Sequence, residues 1–598
     1  MNIQKLFCSL INNRLYASIF LFLISFVIFI PSLKNDFVWD DIPYILSCID
    51  SLNIPDQLNK VLPKKVKQDK KKDYYRPTLQ LSLALDNEIW DGKSYGFHLT
   101  NIIMHSFATV FLFLLILLIL KEFNFRQRSE GAFISSLLFA LHPIHVESVS
   151  FIMARSDLLC AMFLFCFFIF YIKSYEKIVY FTLSLLFFGL ALISKEVAFV
   201  FPILIIIYDL LRPKYPISKY ITRYSIGILL FLLYLYLRNK AYVVIPEFSQ
   251  SVVGGSSSSF DKLIVLFKSF LNAYGFYVYK LFFPFNFNVS AGRLPINLNY
   301  IIIAFSLMFS LILFLYRKNR LYFFATALIT LSLMPAVFVS VLDVVTSPYA
   351  ERFLYIPSAG FCMVLGYLIV NSKDRFKLPK YSTWILLGII CFIYAFFTVK
   401  EQLVWKNNLT LWGKAVQRSP KQAMPHLNYG YSLMRKGEID IAITEFTKAV
   451  KYEKVHNKTL KALAYNNLGN AYLNKGDFEK ARENFKNAYK SDPIKYKSTY
   501  QYHIGLIYYL KGDNIYLQDK AQAESNYKKA LSYLKKADRK AKIHRRLDLL
   551  LAEVFLRLGD VKSAGKYAKL SLKPGKANLD ENMRERAKYI VDISSQYR

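Results

Sequence analysis

Beyond Cys391 the chain has no cysteine. Its six, Cys8, Cys48, Cys160, Cys166, Cys362 and Cys391, all lie in the first 400 residues, so the last third can hold no disulfide framework. None has zinc-ligand spacing. There is no glycine-rich phosphate loop, His-Glu-x-x-His helix or Gly-x-Ser-x-Gly elbow, which removes those nucleotide, zinc-protease and hydrolase chemistries. Acidic residues are scarce, 42 against 77 Lys and Arg, a net charge of +35. No nucleic-acid motif accompanies that charge, so it suits an anionic membrane surface or acidic ligands and no nucleic acid. The first apolar run ends in "SLKND" without a small-residue cleavage site, which reads as an uncleaved anchor.

What is abundant is apolar surface. The 598 residues are 54% hydrophobic and 17% aromatic, too apolar for a soluble protein of this length. Eleven runs could cross a membrane, near 15–33, 97–120, 131–147, 157–174, 178–194, 197–211, 222–238, 299–316, 321–342, 353–371 and 381–399. The short loops "KEFNFRQR", "KSYEK", "RPKYPISKYITR", "YRKNR" and "NSKDRFKLPK" are basic and place themselves on the cytoplasmic side. "KLIVLFKSFLNAYGFYVYKLFF" carries Lys262, Lys268 and Lys280, and is expected to lie in the interface as an amphipathic helix. This gives a membrane part, 1–400, with a first outer loop at 34–96, and a basic part, 401–598, on the outer side. In that last part 39 Lys and Arg face 20 Asp and Glu, an excess of 19.

The outer loops share a property. They hold Asp40 and Asp41, "YYRP" with Arg76, "HPIHVE" with His142, His145 and Glu147, "ARSD" with Arg155 and Asp157, "SKE" with Lys195 and Glu196, and "AERF" with Glu351 and Arg352. Ionisable groups at membrane depth are costly unless paired or wet, so a one-sided cluster marks a site. Three of the four cations also have a carboxylate nearby in sequence with which they would pair: Arg155 with Asp157, Lys195 with Glu196, Arg352 with Glu351. His142 and His145 are three apart, but Pro143 between them breaks helical geometry, so a metal is the lesser reading. Adjacent Asp40 and Asp41 point apart on an extended segment and make a poor proton-sharing dyad. One can take a proton from a hydroxyl nucleophile while the other orients the loop or binds a divalent cation. The cations could clamp a lipid-linked phosphate.

The last third repeats. Gly430, Gly437, Ala442, Phe446 and Ala449 recur as Gly469, Gly476, Ala481, Phe485 and Ala488. Small residues where two helices touch, large ones between and glycine at the turn form the tetratricopeptide pattern. A third copy holds Gly505, Gly512, Ala523, Tyr527 and Ala530, with a six-residue insertion. A fourth holds Ala552, Gly559, Ala564 and Ala568. About four stacked pairs make a solenoid, a form that commonly binds extended peptide.

The acidic pair after the first span, "YYRP", "GFHLTNIIMH", "LHPIHVESVSFIMARSDLL", "SKEVAFVFP" and "ERFLYIPSAGF", followed by the repeats, resemble the transmembrane and tetratricopeptide-repeat-containing O-mannosyltransferases and their bacterial relatives. The likeness follows the order of motifs along nearly the whole chain. It implies an all-α GT-C-type transmembrane glycosyltransferase with a polyprenyl- or dolichyl-phosphate sugar donor and a protein acceptor. It makes Asp40 or Asp41 the catalytic acidic group and lines the donor site with the "HPIHVE", "ARSD" and "SKE" residues. The membrane would be a bacterial inner membrane with periplasmic repeats, or an endoplasmic-reticulum membrane with lumenal ones. A lipid-linked-glycan ligase or oligosaccharyltransferase, or a non-catalytic repeat scaffold, are the alternatives.

Overall fold

The computed structural model describes residues 11–61, 74–241, 259–287, 289, 294–317, 319–342, 349–375, 379, 381–453, 458–537, 544–573 and 579–596. The lysine-rich stretch Lys64–Lys72 lies outside them. Among the described residues the fold is all-α, without extended strands. It divides into two compact units, Met1–Arg418 and Ser419–Arg598. The division falls after Arg418, and residues 403–418 pack within the first unit.

Seven described helices are long and apolar enough to cross a membrane, or eight if one bent pair counts as a single span. The remaining apolar runs form shorter or bent helices. Ile178–Leu192 has 15 residues and Phe201–Leu211 has 11. At 1.5 Å per residue, both fall short of the roughly 30 Å hydrocarbon core. The run at 131–147 bends by 49° between Arg128–Leu141 and Pro143–Ser150. Pro143 cannot continue the helix and forces the residue before it toward extended geometry.

The first span shows how these helices are built. In Arg14–Phe29, Asn13 caps the start by accepting from the Leu15 and Tyr16 amides at 3.0 and 3.3 Å. Ala17, Leu21, Ser25 and Phe29 form a buried stripe, while Leu15, Ile19, Leu23 and Val27 stay open on the other face. The i, i+4 spacing sets both stripes, one for protein and one for lipid.

The loops gather at two ends. Glu122 pairs with Arg212, Tyr175 stacks on Tyr215 at 4.1 Å, and Phe125 packs on Tyr367 at 4.8 Å. Tyr367 meets Tyr322, which stacks on Phe314. The basic loops at 121–128, 173–177, 212–223 and 316–320 therefore share one end. At the other end the Asp36 amide donates to the Lys406 carbonyl at 2.9 Å, Thr78 bonds Ser194 at 2.8 Å, and Phe37 meets Phe97 at 5.5 Å.

The expected interfacial helix, Ser259–Phe282, has two different halves. Its first half is open, with Lys268 exposed. From Leu271 to Leu281 it is almost wholly buried in protein. Lys280 is tolerated there because its ammonium donates to the Phe285 and Asn286 carbonyls at 2.8 Å each, with Glu351 3.9 Å away. The second half lies inside the unit and the first half along its surface.

The second unit is a run of helix pairs: Ala423–Lys436 with Ile439–Tyr452, Lys458–Asn474 with Phe478–Ser491, Pro493–Ile515 with Lys520–Lys536, His544–Arg557 with Val561–Leu572, then Glu581–Gln596. A Cβ on Gly430 would sit 2.8 Å from Phe446, and one on Gly469 2.7 Å from Phe485, so the paired helices touch through these glycines. Gly437, Gly476 and Gly559 turn the chain at φ of 88°, 78° and 80°, where a Cβ is disfavoured. Gly512 is different. It stays inside the 23-residue helix Pro493–Ile515 against Tyr527, so the insertion lengthens the first helix of its pair before the turn.

Candidate active site

The first loop is held by Asp41. Its Oδ1 accepts from the Met153 amide at 2.9 Å and its Oδ2 from the Val38 amide at 3.1 Å. The side chain is fully buried, which pushes the carboxyl up to about 8 against the pull of those amides. Both oxygens are spent on positioning backbone. Asp40 is only partly buried, and its carboxylate makes no hydrogen bond or ion pair among the described residues. Burial raises its carboxyl above the usual range, and the Arg352 guanidinium draws it back.

Trp39 aims this carboxylate. Its backbone has φ of 50°, a left-handed conformation rare for a bulky residue. It is held there by its backbone N–H donating to Asn408 Oδ1 at 2.9 Å, by stacking on Phe151 at 5.3 Å, and by the edge of Trp412 at 5.5 Å. Trp405 backs Phe151 at 5.6 Å, and Arg352 lies over the Trp39 ring at 5.7 Å. Asn408, Trp405 and Trp412 are site-building residues that the motifs did not flag. They sit just past the last span, where the chain reads as soluble. The available signal was rarity: three of only five tryptophans, Trp39, Trp405 and Trp412, meet here.

The cations do not pair with their sequence neighbours. Glu147 takes both the Arg352 amide, at 2.9 Å, and the Arg352 guanidinium. Lys195 bonds Asp157, and Arg76 bonds Glu196 at 2.6 Å. Arg155 pairs with Asp86 at 2.5 Å. Glu351 goes to Lys280. Every expected local pair is replaced by one between distant segments, because adjacent loop residues diverge while the loops themselves converge. Arg76, Lys195 and Arg352 then lie in one group, each cation paired with a carboxylate. Each lies in the field of another member or of Asp157, and the Lys195 ammonium lies 5.2 Å over the Phe353 ring, as Arg352 does. Burial pulls Lys195 down, with Asp157 opposing. Burial would raise Glu196, yet Arg76 holds it below the usual carboxylate range. Two buried polar atoms of this group, Arg76 Nε and Asp157 Oδ2, have no partner among the described residues.

Other predicted site residues sit deeper. Arg155 is wholly buried, also bonding Asn101 at 2.7 Å and the Ser82 and Phe97 carbonyls at 3.1 and 2.9 Å. It ties the first loop to two spans and has no open face for a donor. His142 Nδ1 accepts from the Ile144 amide at 3.2 Å, and its Nε2 donates to the Leu281 carbonyl at 3.2 Å. His145 Nε2 meets Ser358 Oγ at 2.8 Å. Both rings are fully buried among Phe139, Tyr355 and Tyr394. Among the described residues no three His, Cys, Asp or Glu side chains are grouped to hold a metal. With Asp41 committed to amides, the Asp40–Asp41 pair offers one open carboxylate, a poor fit for a resident divalent cation.

The arrangement can therefore accept a proton at Asp40, beside cations that are paired with carboxylates but keep one unpartnered donor at Arg76 Nε among the described residues. The tetratricopeptide-repeat family profile matches residues 462–494. The chain is 25% identical to a protein O-mannosyl-transferase of Caenorhabditis elegans, over 72% of this chain and 62% of the relative. It is 25% identical to the human protein O-mannosyl-transferase TMTC4, over 62% of this chain and 56% of that protein, and to human TMTC3, over 69% and 47%. The chain thus spans about half to three-fifths of the length of these curated relatives. The resemblance read from the motifs is borne out. Among solved structures, a tetratricopeptide protein of Thermus thermophilus is 20% identical, over 33% of this chain and 93% of its own, at a TM-score of 0.22.

Proposed function

We propose that this chain is an integral-membrane protein O-glycosyltransferase of GT-C type, moving a hexose such as mannose from a polyprenyl- or dolichyl-phosphate donor to a Ser or Thr hydroxyl. The observation that carries the reading is the state of Asp40. Among the described residues it is the one carboxylate of the cluster left uncommitted, and it lies in the field of Arg352. The names of the relatives supply the reaction class.

In this reading Asp40 takes the proton of the acceptor hydroxyl as its oxygen bonds the anomeric carbon. The bond from that carbon to the phosphate oxygen breaks, and the electron pair leaves with the lipid phosphate. Arg352, Arg76 and Lys195 stabilise the charge that develops there, and the orphan Arg76 Nε–H supplies a further donor. Asp41 and Trp39 position, and do not touch, the reacting atoms. The repeats select the acceptor.

The test is transfer of labelled hexose from a lipid-phosphate donor to a Ser/Thr peptide by the purified full chain, beside mass spectrometry of envelope proteins with and without the gene. Transfer that disappears in Asp40→Asn supports the proposal. No transfer, together with unchanged envelope glycans, favours the scaffold alternative. For orientation, Ser525→Cys should react with an impermeant reagent in intact cells while Ser218→Cys should not.

A further inference from the structure

At the end of the first unit far from Asp40, a cavity of about 190 Å³ opens between the basic loops. Its lining includes Arg14, Lys121, Lys173, Arg212 and Lys214, with Glu122, Asp209 and Glu176 as the acids. The acids are mostly spent. Glu122 holds Arg212. Asp209 accepts from the Tyr171 and Tyr224 hydroxyls at 2.5 and 2.8 Å. Only Glu176 has no partner among the described residues. Among the described residues Arg14, Lys121, Lys173 and Lys214 reach no carboxylate within ion-pair distance. Four uncompensated cations around one concavity repel each other unless an anion joins them.

Two further features say what kind of anion. The cavity lies at the ends of three apolar spans, those that begin or finish at Arg14, Lys121 and Lys173. Large apolar side chains stand open beside its lining: Leu15 at 64%, Ile178 at 76%, Leu210 at 73% and Ile217 at 75%. A free phosphate has no use for such a rim, whereas a lipid places its head among cations and its chains on apolar surface. The Tyr175 ring, stacked on Tyr215 and capped by Arg223 at 3.7 Å, gives the cavity a rigid amphipathic wall suited to the head-group boundary.

We infer that this cavity binds the phosphate head group of an anionic membrane lipid, on the side opposite Asp40. The ligand is a phosphodiester or phosphomonoester carrying acyl chains, and the site is separate from the donor site proposed above. The full chain, purified into nanodiscs of phosphatidylcholine with or without phosphatidylglycerol, tests it. The wild type should retain phosphatidylglycerol in native mass spectrometry and unfold at a higher temperature when it is present. Arg14→Gln/Lys121→Gln/Lys173→Gln should weaken that retention by about a hundredfold while unfolding normally in pure phosphatidylcholine. Lys214→Gln, an exposed and conservative change, should weaken it by about fivefold and serves if the triple variant folds poorly. Equal retention of both lipids by the wild type would overturn the inference, as would full phosphatidylglycerol preference in the well-folded triple variant. An equal thermal shift with inorganic phosphate or glycerol phosphate in detergent would overturn the lipid as source.

Discussion

The two ends of the membrane unit carry the same residue types in opposite states. At the Asp40 end, Arg76, Arg155, Lys195 and Arg352 each have a carboxylate, and one carboxylate, Asp40, is left over. At the Arg14 end the carboxylates are mostly satisfied and four cations are left over. Composition alone describes both ends as clusters of charge. What differs is the unpaired remainder, and the remainder sets the chemistry. A spare, partly buried carboxylate can take a proton; spare cations can hold an anion.

The sharpest way to break the comparison is to remove the spare carboxylate. Asp40→Asn keeps size and one oxygen but cannot accept the proton, and turnover should fall by about 10²–10⁴-fold with donor affinity retained. Asp41→Asn should act differently. Its amide NH₂ faces a backbone N–H where Asp41 accepted one, so the first loop should loosen and the unfolding temperature should drop. Turnover assays beside thermal unfolding of both variants separate the roles. Equal turnover in wild type and Asp40→Asn would remove the distinction between the two aspartates.

A second test probes the paired groups. Arg155→Gln leaves Asp86 buried without its cation, a change that typically costs about 3–5 kcal/mol. Unfolding should occur at markedly lower temperature, while the donor KM of surviving protein stays near that of the wild type, because Arg155 has no open face. Arg155→Met with Asp86→Leu should recover much of the loss. A raised donor KM with unchanged stability would instead place Arg155 at the substrate.

A third measurement sharpens the coupling of Asp40 to Arg352. A base works only when deprotonated, and burial has raised this carboxyl above its ordinary 3.8. Activity should therefore fall as pH drops through that raised value. Arg352 lowers it, so Arg352→Gln should move the acidic limb of kcat/KM to higher pH, besides weakening donor binding. A limb that stays in place would mean that another group is titrating.

The smallest effect is expected at the other end. Lys121→Gln alone, in zwitterionic lipid, removes a cation with no partner, so stability should change by no more than about 0.5 kcal/mol. A large loss, read by thermal unfolding, would reveal a pairing and remove the asymmetry between the ends.

The motifs named most of the candidate site, since Asp40, Arg76, Glu147, Lys195 and Arg352 were all marked by lying in outer loops. They did not reveal that Asn408, Trp405 and Trp412 complete it. Those residues follow the last span in a stretch whose polarity resembles the repeats, and nothing local shows that it folds back on Trp39. They also could not tell that His142, His145 and Arg155 lie inside the bundle. A polar residue in a loop motif looks the same whether it faces a substrate or a buried carbonyl.

The sequence by itself determined the apolar stripes of the spans, the gathering of basic loops at one end, and the phase of the repeats with glycine at the turns. Each depends on a period or a loop composition that acts over a few residues. Only the tertiary structure decided which carboxylate holds which cation, which of two adjacent aspartates is free, and how far the first unit extends past its last span. Those outcomes depend on contacts such as Asp41 with Met153, Arg352 with Glu147 and Trp39 with Asn408. The partners are brought together by packing across more than a hundred residues of chain, a separation at which local patterning carries no information.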